Sequence, residues 1–173
     1  MRQISLKSQD IVVAIKLALH REERWTFARL GQELALTASQ VFAGAKRCEF
    51  AGLIARQDDQ PIARMRELTE FVLYGVRFAF PVALGEISRG MPTASGGPYL
   101  STVLNASAEG PPVWPFAAGQ ARGPAVTPFY PSLPKAAAKD ADFYNVLTLV
   151  DAVRIGGARD RELATEQLHK TFR

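Results

Sequence analysis

The period of apolar and polar positions changes several times along the chain. Over residues 5–20, Ile11, Val12, Ala14, Ile15, Ala18 and Leu19 cover more than half of a helical circumference. That breadth predicts a first helix buried on two sides, with Ser5 or Ser8 as its cap. Thr26 precedes Phe27, Leu30 and Leu34, which share one face of a second helix. Thr26 is its expected cap, and Trp25 sits where a hydrophobic staple belongs. Thr37 with Gln40 three residues later predicts a capping box and a third helix. Val41, Ala45 and Cys48 form the narrow apolar stripe of that helix, while Ser39, Gln40, Ala43, Lys46 and Arg47 lie opposite. Gly52 follows the last turn, where a left-handed residue is wanted, and Leu53 is placed to fold back onto the stripe. The interval from Leu34 to Val41 holds only a short turn, so the second and third helices must cross steeply.

Beyond this point the period shortens. Two alternating stretches, Ala55-Arg56-Gln57 and residues 62–66, flank the turn-forming Asp58-Asp59-Gln60-Pro61 and predict a hairpin. Residues 67–75 read as a helix with Leu68, Phe71 and Val72 inward. Val76, Phe78, Phe80 and Val82 then alternate as a strand would, ending at or soon after Pro81. Residues 83–134 hold nine of the eleven prolines and only four charged residues, Glu86, Arg89, Glu109 and Arg122. Yet they also carry Tyr99, Trp114, Phe116, Phe129 and Tyr130, whereas disordered linkers are rich in charge and poor in aromatics. The segment is therefore expected to wrap over the protein's own helices, largely irregular, with extended pieces at 113–116 and 125–129. A helical turn is expected at 134–139, and a helix over 142–155 capped by Asp140 or Asp142. After the break at Gly156-Gly157, a last amphipathic helix runs over 158–172 through Leu163 and Leu168. Asp151 with Arg154, and Arg161 with nearby acids, read as surface ion pairs. The sum is a mainly α, α+β chain in two parts. Residues 1–76 form the helix-rich unit with its hairpin. Residues 77–173 form an extension packed on it, with a strand and Pro/Gly-rich segment over 77–134 and helices over 135–173.

Helix, tight turn, helix and hairpin is the order of a winged helix-turn-helix. The residues Leu36-Thr37-Ala38-Ser39-Gln40-Val41, Lys46-Arg47 and Ala51-Gly52-Leu53-Ile54 resemble the winged-helix domain of bacterial transcriptional regulators of the MarR-like and related types. The resemblance covers about the first 70 residues. It implies a sequence-specific regulator of transcription whose third helix enters the major groove of double-stranded DNA. Two departures stand out. Cys48 occupies a position where Leu is usual, and Phe42 and Gly44 stand where larger polar residues often read bases. The implied DNA-binding set is Thr26, Ser39, Gln40, Ala43, Lys46, Arg47, Arg56 and Arg64, with Arg66 also available to phosphates. Ser39 and Gln40 suit base edges, and the cations suit the backbone. A homodimer is expected, since two copies read two half-sites, and the helices over 142–172 with the first helix beneath them offer apolar faces for pairing.

Charge supports a polyanionic partner for the first part. Residues 1–66 hold eleven Lys or Arg against seven Asp or Glu, whereas residues 67–173 hold ten of each, so the whole surplus of +4 lies in the first part. The single cysteine rules out an internal disulfide and a thiolate-rich zinc site. No apolar run approaches the ~20 residues that span a bilayer, and residues 1–10 lack a secretion signal, so a cytoplasmic protein with no membrane partner is expected. Catalytic chemistry is sparse: His20 and His169 fall at helix ends, Cys48 on the buried stripe, Asp58-Asp59 at a turn tip, and Ser95-Gly96-Gly97 lacks the lysine of a phosphate loop. Neither an enzyme nor a cofactor nor a metal is expected. The alternative to a regulator is a protein-interaction module or antitoxin-like protein whose aromatic 83–134 segment grips a protein partner.

Overall fold

In a computed structural model, which describes residues 3–105 and 107–173, α1 (Ser8–Leu19) carries a nearly unbroken buried run from Asp10 to Ala18. One flank packs on α3 (Ala38–Phe50) and another on α7 (Ala141–Ile155), as its broad apolar face requires. Neither Ser5 nor Ser8 caps it. Asp10 reaches back to the Lys7 amide at 2.7 Å, and the Ser8 hydroxyl donates to the Phe129 carbonyl at 2.6 Å instead. The side chain with a pairing role deeper in the core displaces the generic cap.

Helix α2 (Phe27–Leu34) is capped by Thr26, whose hydroxyl accepts from the Arg29 amide at 3.1 Å. It ends in a left-handed Ala35, φ +52°. Helix α3 opens with the reciprocal box: the Gln40 amide nitrogen of the backbone donates to Thr37 Oγ1, and the Thr37 backbone N–H donates to Gln40 Oε1. Gly52 at φ +79° closes it, and Leu53 is buried with its N–H on the Cys48 carbonyl. The hairpin of β1 (Ile54–Gln57) and β2 (Gln60–Ala63) turns on Asp58-Asp59 alone, both at positive φ. Two left-handed residues match the twist of a two-residue hairpin, and Asp tolerates that conformation better than most residues. The turn is thus two residues shorter than the sequence suggested, and Gln60 and Pro61 join the strand.

The expected strand at 76–82 is instead helical. Helix α4 (Met65–Glu70) runs through a π-helical turn (Phe71–Gly75) into α5 (Val76–Ala79). The wide turn keeps Leu68, Val72 and Val76, spaced by four, on the buried side, where a straight α-helix would let them drift around. The apparent alternation of Val76, Phe78, Phe80 and Val82 joined a buried Val76 and an exposed Phe78 on α5 to Phe80 and Val82, which lie beyond the helix.

Residues 83–134 are more regular than expected. A three-stranded antiparallel sheet has β3 (Ile87–Pro92) in the middle, flanked by β4 (Val113–Pro115) and β5 (Ala121–Pro124). Pro92, Pro115 and Pro124 each end a strand, where a missing N–H costs least. Gly90 pairs with Pro115 on one side and Ala121 on the other, and a side chain there would press into the Trp114 carbonyl. The second extended piece lies at 121–124 and not at 125–129. Trp114, Phe129 and Tyr130 are buried against the protein's own helices.

The turn α6 (Leu133–Ala137) leads into α7, capped by Asp140 through the Phe143 amide at 3.0 Å. Nine residues of α7 are buried, which makes it the central post of the fold. Helix α8 (Ala158–Thr171) lays Ala164 and Leu168 on it, with Phe172 just beyond. The faces expected to pair two copies are therefore spent within one chain. Asp151 is likewise no surface residue. It is fully buried, with Oδ2 accepting from Thr93 Oγ1 and Trp114 Nε1 and Oδ1 from Arg154 Nη1, all at 2.7 Å. Arg161 bonds the Gly156 carbonyl at 2.6 Å, closing the end of α7 instead of meeting an acid. A single core joins both parts of the chain. Among the described residues no helix is long and apolar enough to cross a membrane.

Candidate nucleic-acid interface

The outer face of α3 is an exposed helical surface that carries both polar and apolar side chains. Ala38, Ser39, Gln40, Phe42 and Lys46 are exposed and Ala43 is half-buried, while Val41, Ala45 and Cys48 are fully buried. Ser39, Gln40, Ala43 and Lys46 thus share the side on which the sequence placed them. Gln40 is partly committed. Its Oε1 closes the capping box, leaving the Nε2 donor for a ligand.

One expected member of the face, Arg47, is turned inward. The Arg47 guanidinium forms a bidentate pair with Asp10, Nε to Oδ2 and Nη2 to Oδ1, both 2.7 Å. Asp10 has no exposed surface, and the Arg47 side chain is only 19 % exposed. The hydrogen bonds to Asp10 hold the Arg47 guanidinium above its already high pKa, so Arg47 stays charged. Arg47 therefore anchors α3 to α1. Gly44 lies over the same carboxylate: a Cβ there would stand 2.9 Å from Asp10 Oδ1. Cys48 donates its thiol to the Asp10 carbonyl at 3.3 Å, and burial pushes that thiol up to about 12, which makes it unreactive.

The hairpin and the start of α4 add cations beside this face, each with an acid attached. Arg56 Nε lies 2.7 Å from Glu49 Oε1, and Lys46 Nζ lies 2.9 Å from Glu49 Oε2. Burial opposes ionisation of Glu49, but the hydrogen bonds from Lys46 and Arg56 hold its carboxyl below the usual range. Arg64 pairs with Glu67 at 2.9 Å, and Arg66 with Glu70 at 3.2 Å. Thr26 remains exposed but is committed to its cap. The positive field is therefore smaller than the charge count implies. Each exposed pair is weak enough for a phosphate to replace the carboxylate.

One member of the face was set aside on sequence grounds. Phe42 is 45 % exposed in the middle of the helix. Its ring meets Phe27 edge to face at 5.2 Å, Lys46 Nζ stands 5.9 Å from its centroid, and Arg56 lies 5.6 Å from the Phe27 ring. The signal available was the apolar Phe42 interrupting a polar face. Its partner Phe27, in the preceding helix, could not be read from spacing.

The α2–α3 turn is held from behind. The last carbonyls of α2 have no partner within their helix. Tyr130 Oη donates to the Leu34 carbonyl at 2.8 Å, Ser132 Oγ to Ala35 at 2.9 Å, and Lys139 Nζ to Gln32 at 2.8 Å. Burial drives the Tyr130 hydroxyl well above its ordinary pKa, so it remains a donor. Farther along, Lys16 is buried with Nζ 2.6 Å from Asp140 Oδ2, and His20 Nε2 meets the same oxygen at 2.7 Å. His20 thus serves a cross-fold pair and not only a helix end, while His169 is exposed in the last turn of α8. Among the described residues no three His, Cys, Asp or Glu side chains gather as a metal site would require. Compared with family models, with curated proteins and with solved structures, the chain matches none of them.

Proposed function

We propose that this chain is a sequence-specific DNA-binding regulator of transcription, without enzymatic activity of its own, that uses α2, α3 and the β1–β2 hairpin as a winged helix-turn-helix. The observation that carries the proposal is the outer face of α3. It is long and largely exposed, and it presents Ser39, Gln40, Phe42, Ala43 and Lys46 between flanking cations on the hairpin side. Small residues at Ala38 and Ala43 let the helix approach base edges closely. Arg56, Arg64 and Arg66 take phosphates by exchanging Glu49, Glu67 and Glu70 for them. A homodimer reading two half-sites belongs to this proposal, with Tyr74 and Phe78, two exposed aromatics on one side of the helical run from α4 to α5, as its pairing surface.

A protein-binding role for the same face is the second reading, and Glu49 favours it. A carboxylate between Lys46 and Arg56 repels a polyanion but suits a mixed-charge protein surface. The test is binding to duplexes selected from a random pool, measured across a salt series. A sequence-specific binder enriches a defined site and loses affinity steeply with salt, roughly one power per phosphate contacted. The Lys46→Ala/Arg56→Ala double variant lowers that slope by about two. Failure to enrich any duplex overturns the DNA reading and leaves the protein-binding one.

A further inference from the structure

Resting on the DNA reading of α3, we infer that this helix selects thymine through its 5-methyl group, with Phe42 as the residue that recognises it. The hydrogen-bonding capacity of the face comes down to the Ser39 hydroxyl and part of Gln40. Arg47 is bound to Asp10, Gly44 offers no side chain, and Gln40 has its oxygen in the capping box. The bidentate donor-acceptor fork by which Gln reads adenine is thus broken, and only its N–H2 remains. What the face offers in quantity is apolar surface: Ala38, Phe42 and Ala43 on consecutive turns.

In the major groove the thymine methyl is the one apolar group that distinguishes a base pair, and Ala and Phe are its natural contacts. Phe42 is built for this use. An exposed phenyl ring normally samples several rotamers and gives up entropy on binding. Here the edge contact with Phe27 at 5.2 Å and the Lys46 ammonium above the ring fix its position in advance. Phe27 is in turn overlain by Arg56, so the ring that touches the base and a cation that touches the backbone share one support. The arrangement favours a site with thymine under the centre of α3, flanked by phosphates held by Lys46 and Arg56.

Deoxyuridine isolates the methyl group without changing pairing or hydrogen bonding. In the enriched duplex, each thymine is replaced in turn by deoxyuridine and affinity is measured by fluorescence anisotropy. At one or two positions the replacement weakens binding by about fourfold, the value of one buried methyl-sized group. With Phe42→Ala the thymine duplex binds more weakly, and the difference between thymine and uracil at those positions disappears. Phe42→Leu retains part of it. Because Phe42 is exposed, the circular dichroism and melting of both variants stay close to the parent's. Enrichment of a site with no thymine beneath α3, affinity indifferent to deoxyuridine everywhere, or a thymine–uracil difference that survives Phe42→Ala overturns this inference alone. If no duplex is enriched, both it and the DNA reading fall.

Discussion

Asp151 is the point at which the second part of the chain is most exposed to a single change. Its oxygens accept three hydrogen bonds, from Thr93, Trp114 and Arg154, and it has no exposed surface. Burial pushes the carboxyl up from its ordinary pKa, and the Arg154 charge with the three donors works against that rise. Arg154, 5 % exposed, also donates from Nε to the Phe80 carbonyl at 3.0 Å and lies 4.2 Å over the Phe129 ring. Asp151→Asn keeps the volume and removes the charge. The new amide presents N–H groups where Trp114, Thr93 and Arg154 already point donors, and it leaves the guanidinium buried without an anion. Removing one partner of a buried pair costs about 3–5 kcal/mol. For a chain of this length that lowers Tm by roughly 6–20 °C. Urea and thermal unfolding, followed by far-UV circular dichroism at pH 7, measure the loss. Indole fluorescence reports Trp114, one of only two tryptophans. Asp151→Leu with Arg154→Met removes both charges but leaves Thr93, Trp114 and the Phe80 carbonyl without partners, so it recovers only part of the loss. If Asp151→Asn costs less than about 1 kcal/mol, the network is not what joins the sheet to α7.

Asp140 should make the protein sensitive to acid. Burial opposes its ionisation, but hydrogen bonds from Lys16, the Phe143 amide and His20 hold it down to about 2. A depressed carboxyl contributes stability above its unfolded pKa and loses it as pH falls from about 4 to about 2, here roughly 2 kcal/mol. In urea titrations the gap between the parent and Asp140→Asn should close over that window, and a gap that is constant with pH would refute the assignment. Limited proteolysis with chymotrypsin should leave the Phe129–Tyr130 bond uncut, since both side chains are buried, whereas Trp114 and Tyr130 are each followed by proline and report nothing to that protease. Rapid cleavage there, with both flanking pieces surviving, would favour a partner-bound segment. Multi-angle light scattering at tens of micromolar should give twice the mass of one chain, and Tyr74→Glu with Phe78→Glu should halve it. A monomer in the parent removes the dimer from the proposal.

The features legible in sequence were those whose causes are local. The Thr37–Gln40 box, the Val41/Ala45/Cys48 stripe, Gly52, the hairpin and the Asp140 cap each depend on residues within a few positions, and all are present. What escaped depended on distant partners or on where a helix ends. Asp151 and Arg154 have the i, i+3 spacing of an ordinary surface pair, and only Thr93 and Trp114, 58 and 37 residues away, make it a buried hub. Arg47 looked free because its acid lies 37 residues earlier. Strand β3 was hidden because Gly90 and Pro92 are poor strand formers, acceptable here through close backbone approach and a terminal position. The alternation at 76–82 misled because Phe78 is an exposed aromatic on α5 and Phe80 and Val82 follow the helix end.

The clasp of Tyr130, Ser132 and Lys139 on the end of α2 means that the α2–α3 unit is not an independent module. Its turn is oriented by side chains about a hundred residues downstream, and α1 is shared between α3 and α7. A fragment ending near Val76 would bare the α7-facing side of α1 and release three carbonyls at the one corner where the helix angle is set. Grafting residues 1–76 onto another domain would therefore carry over the exposed residues of α3 without the geometry of the turn ahead of them. By the same linkage, a ligand that shifts α6 by an ångström would be felt directly at the turn ahead of α3.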